Sequence, residues 1–160
     1  MVKPIEEEIH QRKFRNEYHK MKINVVYTGN WVESELNKVF KKYGLSLPQY
    51  NILRILKGSS PNPLCLHEIK ERMLDRMSDT SRIVERLAKG GYLERSANEA
   101  DRRSINIQLT KKGFDLINSM SSEVDALDDY ISVLTEEEAI QLNNLLNKVR
   151  VNKRELEVSE

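Results

Sequence analysis

Apolar residues recur at helical spacing through the first quarter of the chain, among many charged residues. They are Ile5, Ile9, Phe14, Tyr18, Met21, Val25, Trp31 and Phe40. This pattern predicts one long helix over residues 5–43, bent or broken near Gly29, the single glycine of that stretch. An apolar stripe on so long a helix needs a cover, and a second chain is a natural one. We therefore predict an N-terminal dimerisation helix over residues 1–43.

Caps and breakers divide the next segment into short helices. Gly44 is placed to end the first helix, and Ser46 to cap a second one that Gln49 closes as a capping box. That helix stops at the Gly-Ser-Ser-Pro-Asn-Pro run of residues 58–63. A helix of about two turns follows, on which Leu66, Ile69 and Met73 form the apolar side.

A turn over residues 74–77 then leads into a further helix. This helix is predicted from Ser78 to Lys89, with Ser78 or Asp75 as its cap, and the Gly90–Gly91 pair stops it. Two short helices joined by a turn indicate a helix-turn-helix.

The apolar period then changes to two. Residues 92–95 read as a strand, residues 97–102 as a polar loop, and residues 104–109 alternate strictly between polar and apolar. Thr110 caps a helix predicted to reach about Tyr130, and Thr135 with Glu138 forms the capping box of the last helix. The order predicts a mainly α fold with a small β-hairpin wing. The predicted domains are a winged helix-turn-helix DNA-binding domain over residues 44–113 and C-terminal dimerisation helices over residues 114–160, after the N-terminal helix.

The helix from Ser78 to Lys89 divides into two sides on a helical wheel. The apolar side holds Met77, Thr80, Ile83, Val84 and Leu87. The opposite side holds Ser78, Arg82, Glu85 and Lys89, flanked by Asp79, Ser81 and Arg86. A helix that reads base edges and phosphates needs this division, although an ordinary amphipathic surface helix shows it too.

The hairpin tip adds two arginines, Arg102 and Arg103, on a thin projection. Arginine on such a wing can enter a narrow minor groove, and Asp101 can hold one guanidinium in position. The alternative is a solvated charged turn.

Basic and acidic residues are unevenly distributed along the chain. Residues 1–113 hold 22 Lys and Arg against 14 Asp and Glu, whereas residues 114–160 hold 4 against 11, so that the net charge is only +1. Ordinary surface scatter gives such a split, but it also suits a polyanion at the basic part. Neither a membrane span nor a secretory signal is apparent, and Cys65 is the only cysteine, so a reducing cytoplasm is expected. We interpret Cys65 as a small buried residue rather than a redox sensor.

Residues 45–113 resemble the multiple-antibiotic-resistance regulator (MarR) family. The likeness is carried in order by Gly44-Leu45-Ser46-Leu47-Pro48-Gln49-Tyr50-Asn51-Ile52-Leu53, Ser81-Arg82-Ile83-Val84-Glu85-Arg86-Leu87, Gly91-Tyr92-Leu93-Glu94-Arg95, Asp101-Arg102-Arg103 and Leu109-Thr110-Lys111-Lys112-Gly113. The pair Gly90–Gly91 departs from the single glycine that the family more often has.

The resemblance implies a homodimer that binds double-stranded DNA at a pseudo-palindromic operator. It places Ser78, Thr80, Ser81, Arg82 and Arg86 on the recognition helix in the major groove, with Asp79 in its first turn. Arg103, and secondarily Arg102, would enter the minor groove with Asp101 as support. Many members release DNA when a small anionic or phenolic ligand, or an oxidant, alters the spacing of the two DNA-binding heads, so the resemblance implies a repressor released by an effector.

No catalytic or metal-binding constellation is apparent, since His10, His19 and His67 are scattered, and we expect neither an enzyme nor a cofactor. An effector pocket between the dimer helices and the DNA-binding head is one hypothesis for Tyr18, Tyr27, Trp31 and Tyr50; ordinary core or interface aromatics are the other. A winged-helix module that binds a protein without reading DNA remains the alternative function.

Overall fold

The computed structural model of the chain describes residues 3–98, 104–130 and 133–151. The chain forms two compact units, Met1–Ser121 and Ser122–Glu160. In chain order the elements are α1 (Ile5–Glu8), α2 (Glu17–Lys42), α3 (Leu47–Ser59), α4 (Leu66–Arg72), α5 (Thr80–Lys89), β1 (Leu93–Ala97), β2 (Ile105–Leu109), α6 (Lys111–Ser119), α7 (Ser121–Asp125), a 3₁₀ turn (Asp128–Tyr130) and α8 (Glu136–Val149). The mainly α fold with a hairpin wing is as predicted. None of the described helices has a stretch long and apolar enough to cross a lipid bilayer.

The break in the N-terminal helix lies earlier than predicted. α1 ends at Glu8, and α2 begins after Asn16, whose side-chain oxygen accepts the His19 backbone N–H at 2.9 Å. The helix then runs unbroken through Gly29, because one glycine costs only about 1 kcal/mol in a helix and a 26-residue helix tolerates it. The predicted bend at Gly29 is therefore wrong.

The caps around α3 are as predicted. Gly44 has a positive φ of 69°, the backbone conformation that ends a helix with glycine. The Ser46 backbone N–H donates to Gln49 Oε1 at 2.8 Å, which completes a capping box, and proline stands in the first turn of the helix.

The core of the first unit surrounds α3. Its fully buried side chains include Phe40 of α2, Ile52 and Leu53 of α3, Ile69 of α4 and Leu87 of α5. The C-terminal turns of α2 therefore belong to the core of the first unit, whereas the functional division at residue 43 stays a prediction.

The hairpin is held by three chain segments rather than two. β1 and β2 pair antiparallel, with Leu93 opposite Leu109. Leu64 then exchanges two backbone hydrogen bonds with Ile107, at 3.0 and 2.9 Å between nitrogen and oxygen. The segment before α4 thus extends the sheet, which the sequence pattern did not predict.

α6 packs closely on the start of the wing. The Thr110 hydroxyl donates to the Gly91 carbonyl at 2.7 Å, and the Thr110 N–H donates to the Tyr92 carbonyl at 3.0 Å. A Cβ on Gly113 would lie 2.3 Å from that Tyr92 oxygen, so only glycine permits this approach.

The helix predicted from Thr110 to about Tyr130 is divided into three pieces. Ser119 and Ser121 donate their side-chain hydroxyls to carbonyls three residues back, at 2.7 and 2.8 Å, in competition with helical hydrogen bonds. In the second unit, the capping box of Thr135 and Glu138 opens α8 as predicted.

Candidate nucleic-acid interface

The turn between α4 and α5 is fixed by the carboxylate of Asp75. Asp75 Oδ1 accepts the Met77 N–H at 2.9 Å, and Oδ2 accepts the Ser78 hydroxyl at 2.6 Å. The Ser78 hydrogen bond, together with the one from Met77, holds the pKa of Asp75 below its ordinary value. Asp75 therefore organises the turn rather than capping the helix.

α5 begins one residue after its cap, Asp79. The Asp79 side chain accepts the Arg82 backbone N–H at 3.1 Å, so Asp79 is the cap. The prediction that Ser78 or Asp75 caps this helix is therefore wrong. At the other end, Gly90 is the C-cap and Gly91 has a φ of 76°, so the predicted stop is confirmed. A Cβ on Gly90 would lie 2.8 Å from a ring carbon of Tyr92, a contact that favours glycine at residue 90 as well as at residue 91.

One side of α5 is exposed and the other is buried. Ser81, Arg82 and Arg86 are exposed, whereas Val84 and Leu87 pack into the core. Asp79 is exposed and Ser78 is half-buried. The helix therefore presents hydroxyl and guanidinium groups on the side opposite to its buried residues.

Thr80 is an exception among the predicted contact residues. Its side chain is 4% exposed, and its hydroxyl lies 3.4 Å from the Ser78 carbonyl oxygen that it donates to. A side chain covered by its own chain cannot reach a base edge, so we remove Thr80 from the candidate surface.

Met77 departs from the helical wheel in the opposite sense. The wheel placed Met77 on the buried side, yet its side chain is 93% exposed. It lies in the turn before the Asp79 cap, where helical periodicity does not apply. An exposed apolar side chain next to the polar side of α5 suits contact with a thymine methyl group, a role that the sequence pattern did not indicate for Met77.

Positive charge continues from α5 onto the wing. Glu85 forms an ion pair with Lys89 at 2.8 Å, and the hydrogen bond from Lys89 lowers the pKa of Glu85. The positive charges of Arg95 and Arg82 lower it further. Arg95, on β1, therefore lies within electrostatic reach of α5. The sequence signal for it was the run of three polar residues, Glu94-Arg95-Ser96, that follows Leu93.

The first turn of α6 is attached to the end of α5. Lys112 Nζ donates to the Gly90 carbonyl at 2.7 Å and lies 4.6 Å from the centre of the Tyr92 ring. The predicted minor-groove residues Asp101, Arg102 and Arg103 lie outside the described residues, so their roles stay predictions.

The aromatic residues of the hypothetical effector pocket are spread along α2 and onto α3, with Tyr18 far from Tyr50 within one chain. Tyr50 stacks on Phe40, with ring centres 4.2 Å apart, and the Tyr27 hydroxyl donates to Glu8 at 3.0 Å. Tyr18, 81% exposed, lies 22 residues before Phe40, or about 33 Å along the α2 helix axis. Trp31 lies between these ends and is 43% exposed.

The remaining candidate groups are unremarkable chemically. Cys65 is half-buried at the start of α4 rather than fully buried, and its backbone N–H donates to Glu68 Oε2 at 2.7 Å. Within residues 3–98, 104–130 and 133–151, no group of three or more His, Cys, Asp or Glu side chains is arranged to hold a metal ion.

Two helices joined by a turn, followed by a hairpin against which they pack, define the class of winged helix-turn-helix proteins. The sequence profile of the MarR family matches residues 45–105. PecS, an HTH-type transcriptional regulator of Dickeya dadantii, is 38% identical over 120 residues, which are 74% of this chain and 72% of PecS. MhqR, an HTH-type transcriptional regulator of Bacillus subtilis, is 31% identical over 127 residues, covering 78% of this chain and 85% of MhqR.

Solved structures share the fold. A MarR variant from Escherichia coli, solved with operator DNA, matches with a TM-score of 0.76 at 21% identity over 87% of this chain and 99% of that one. The Staphylococcus aureus MepR–DNA complex matches with a TM-score of 0.73 at 22% identity, over 86% and 97%. The chain thus belongs to the MarR family of winged helix-turn-helix, DNA-binding transcriptional regulators.

Proposed function

We propose that the chain is a homodimeric transcriptional repressor that reads a pseudo-palindromic operator through α5 and loses DNA affinity when a small molecule binds. The observation that carries the proposal is the division of α5. Its exposed side presents Ser81, Arg82 and Arg86, while its other side is fixed in the core. A recognition helix needs both an exposed polar side and a side that is fixed in the core, since a helix that is free to rotate about its axis cannot hold a guanidinium group against one base.

The division suggests distinct roles along the surface. Arg82 and Arg86 suit guanine edges or phosphates, Ser78 and Ser81 suit short hydrogen bonds, and Met77 suits thymine methyl groups. Asp79 serves the helix as its cap and contributes to DNA binding only by position. The predicted wing arginines would add a contact with little sequence code.

Uncovered apolar faces support a dimer. On α2, Tyr18, Met21 and Val25 recur at helical spacing and are exposed. On α8, exposed Leu142, Leu145 and Val149 recur in the same way. Such stripes are costly in water unless another surface covers them, and a second copy with the same stripes is the proposed cover.

The test of DNA binding measures fluorescence anisotropy on the DNA upstream of the protein's own gene. Between about 50 mM and about 200 mM salt, affinity is expected to fall by about 10³-fold or more, as for proteins that contact about six or more phosphates. Arg82→Ala is expected to cost about 1–3 kcal/mol and to relax specificity at one base pair in each half-site. Arg103→Ala is expected to weaken all sites to a similar extent.

Arg12→Ala is the matched control for Arg82→Ala. Arg12 is exposed between α1 and α2, so both variants remove one positive charge but only one of them alters α5. If both variants lose the same amount of DNA affinity, the effect of Arg82→Ala is explained by the loss of one positive charge and not by a contact of Arg82 with DNA. If the protein does not bind DNA, or binds it with an affinity that does not depend on salt, sequence-specific DNA binding would be contradicted. The alternative function, a winged-helix module that binds another protein, would then be favoured.

Sedimentation of the full chain tests the dimer. Leu145→Glu places a charge in the apolar stripe of α8 and is expected to shift the protein towards monomer. Asn144→Glu is the control, because residue 144 lies about 100° around the helix from residue 145. A monomeric wild type, or Leu145→Glu that sediments as the wild type does, would exclude this interface.

A further inference from the structure

Asn51 is a polar side chain within the apolar core around α3. It is 1% exposed and stands next to Ile52 and Leu53, which are fully buried. Its Oδ1 accepts the Leu74 backbone N–H at 2.9 Å, across 23 residues of chain. Because Leu74 opens the turn between α4 and α5, this hydrogen bond joins α3 to the segment that leads into the recognition helix.

Stability alone does not account for an asparagine at this position. The Leu74 donor identifies Oδ1 and hence Nδ2, which is buried and has no hydrogen-bond partner among the described residues. One hydrogen bond made and one buried donor left unpaired roughly cancel in the free energy of folding. The side chain therefore fixes the position of Leu74 without adding appreciably to stability.

Short-range hydrogen bonds carry this position from Leu74 to the start of α5. Asp75 directly follows Leu74, and its Oδ2 accepts the Ser78 hydroxyl at 2.6 Å. The Ser78 carbonyl accepts the N–H of Thr80, the first residue of α5, at 2.9 Å. Asn51 is thus the side chain that attaches this series of hydrogen bonds to α3.

The first turn of α5 is where a small displacement matters most. The N-terminal residues of a recognition helix contact base edges, and Ser81 and Arg82 are exposed there. A shift of about 1 Å would stretch a hydrogen bond to a base well beyond its range of about 2.7–3.2 Å. Attraction between an arginine and the phosphates depends mainly on charge and tolerates the same shift.

We propose that Asn51 is a positioning residue for operator recognition. Its Oδ1 fixes Leu74 and, through the turn, the first turn of α5, so that loss of this acceptor lowers the affinity for the operator and not the affinity for other DNA. The role in recognition rests on the proposed function, whereas the attachment of the turn is measured without DNA.

Two substitutions of similar size separate position from stability. Asn51→Leu removes the acceptor and exchanges one unpaired donor, Nδ2, for another, the Leu74 N–H, so its melting temperature is expected to stay within about 2 °C of the wild type. Asn51→Asp keeps an acceptor for Leu74 in either protonation state but buries a carboxyl group, so its melting temperature is expected to fall by about 2–4 °C or more. A merely structural asparagine would make DNA binding follow stability, whereas a positioning asparagine gives the reverse order.

Anisotropy titrations at one salt concentration compare the DNA upstream of the protein's own gene with DNA of the same composition in scrambled order. For Asn51→Leu, affinity for the upstream DNA is expected to fall about tenfold or more, the worth of one base contact, at unchanged affinity for scrambled DNA. Asn51→Asp is expected to keep the ratio of the two affinities found in the wild type.

Ile55→Val is the matched control for a loss of stability. Ile55 is buried on the same helix as Asn51, and the change removes one methylene group from the core. The melting temperature is expected to fall by about 2–4 °C, and the ratio of the two DNA affinities is expected to stay as in the wild type.

Amide hydrogen exchange of the protein without DNA measures the attachment itself. In Asn51→Leu, the Leu74 N–H is expected to exchange faster than in the wild type, and so are the N–H groups of Met77 and Arg82 further along the segment. In Asn51→Asp, the Leu74 N–H is expected to stay protected.

The possible results are distinguishable. If Asn51→Leu keeps the wild-type ratio of affinities, or if Asn51→Asp and Ile55→Val lose that ratio as their melting temperatures fall, the role in recognition is overturned. An unchanged exchange rate of the Leu74 N–H in Asn51→Leu overturns the attachment. A wild-type protein that binds both DNAs equally contradicts the proposed function instead, and the exchange rates still decide the attachment.

Discussion

Gly113→Ala tests how α6 holds the wing in place. The added Cβ would lie 2.3 Å from the Tyr92 carbonyl oxygen and 3.0 Å from Leu109 Cδ2. The first neighbour is backbone, so α6 or the start of β1 must move. Overpacking of this kind costs about 1–3 kcal/mol, partly offset by about 1 kcal/mol of helix propensity gained by alanine. Because the clash is with backbone, the cost belongs to the upper part of that range, about 2–3 kcal/mol, so we expect a net loss of about 1–2 kcal/mol in the free energy of unfolding.

Gly29→Ala is the matched control, because its Cβ meets no atom within 4 Å and it lies within helix α2. It is expected to raise stability by about 0.5–1 kcal/mol. Thermal unfolding at one fixed protomer concentration measures both, and at about 2–4 °C per kcal/mol the two variants are expected to differ by several degrees in opposite directions. A Gly113→Ala protein as stable as the wild type would refute the claim that α6 needs glycine at this contact.

Two further predictions concern the recognition helix. Asp79→Asn keeps the cap and removes a negative charge, so it is expected to bind DNA at least as tightly as the wild type in an anisotropy titration. Asp79→Ala is expected to cost about 0.5–2 kcal/mol of stability and to bind DNA less tightly, and equal behaviour of the two variants would exclude the capping role. The stabilisation that Glu85 gains from Lys89 is expected to be present above its ordinary pKa of 4.5 and to be lost as the pH falls through the lower pKa of the folded protein. A carboxylate NMR titration checks this: the midpoint for Glu85 is expected below 4.5 and is expected to return towards that value in Lys89→Ala, whereas an unmoved midpoint would contradict the ion pair.

Local chemistry made the caps and glycine positions predictable from the sequence. Gly44, Ser46, Thr110 and Thr135 each act within three or four residues of themselves, and the structure has all four where the pattern placed them. The exposed and buried sides of α5 were likewise readable, because periodicity reports burial once a helix is correctly bounded.

The structure differs from the sequence-based prediction where a residue's position depends on the exact end of a helix or on a contact with a residue far away in the chain. Met77 was assigned to the buried side because the helical wheel was extended to it, three residues before α5 begins at Thr80. The pairing of Leu64 with Ile107 joins segments 43 residues apart, and Asn51 reaches Leu74 across 23 residues. Neither contact leaves a local pattern in the sequence, so the sheet extension and the attachment of Leu74 to α3 became visible only in three dimensions.

α2 gives the molecule a lever arm. Its Phe40 end is locked against Tyr50 in the core, whereas its Tyr18 end, about 33 Å away, carries the exposed apolar stripe. A change of about 10° in the direction in which α2 leaves the core moves that distant end by about 6 Å. In the proposed dimer, small adjustments at the root of this helix would therefore become large changes in the separation of the two recognition helices.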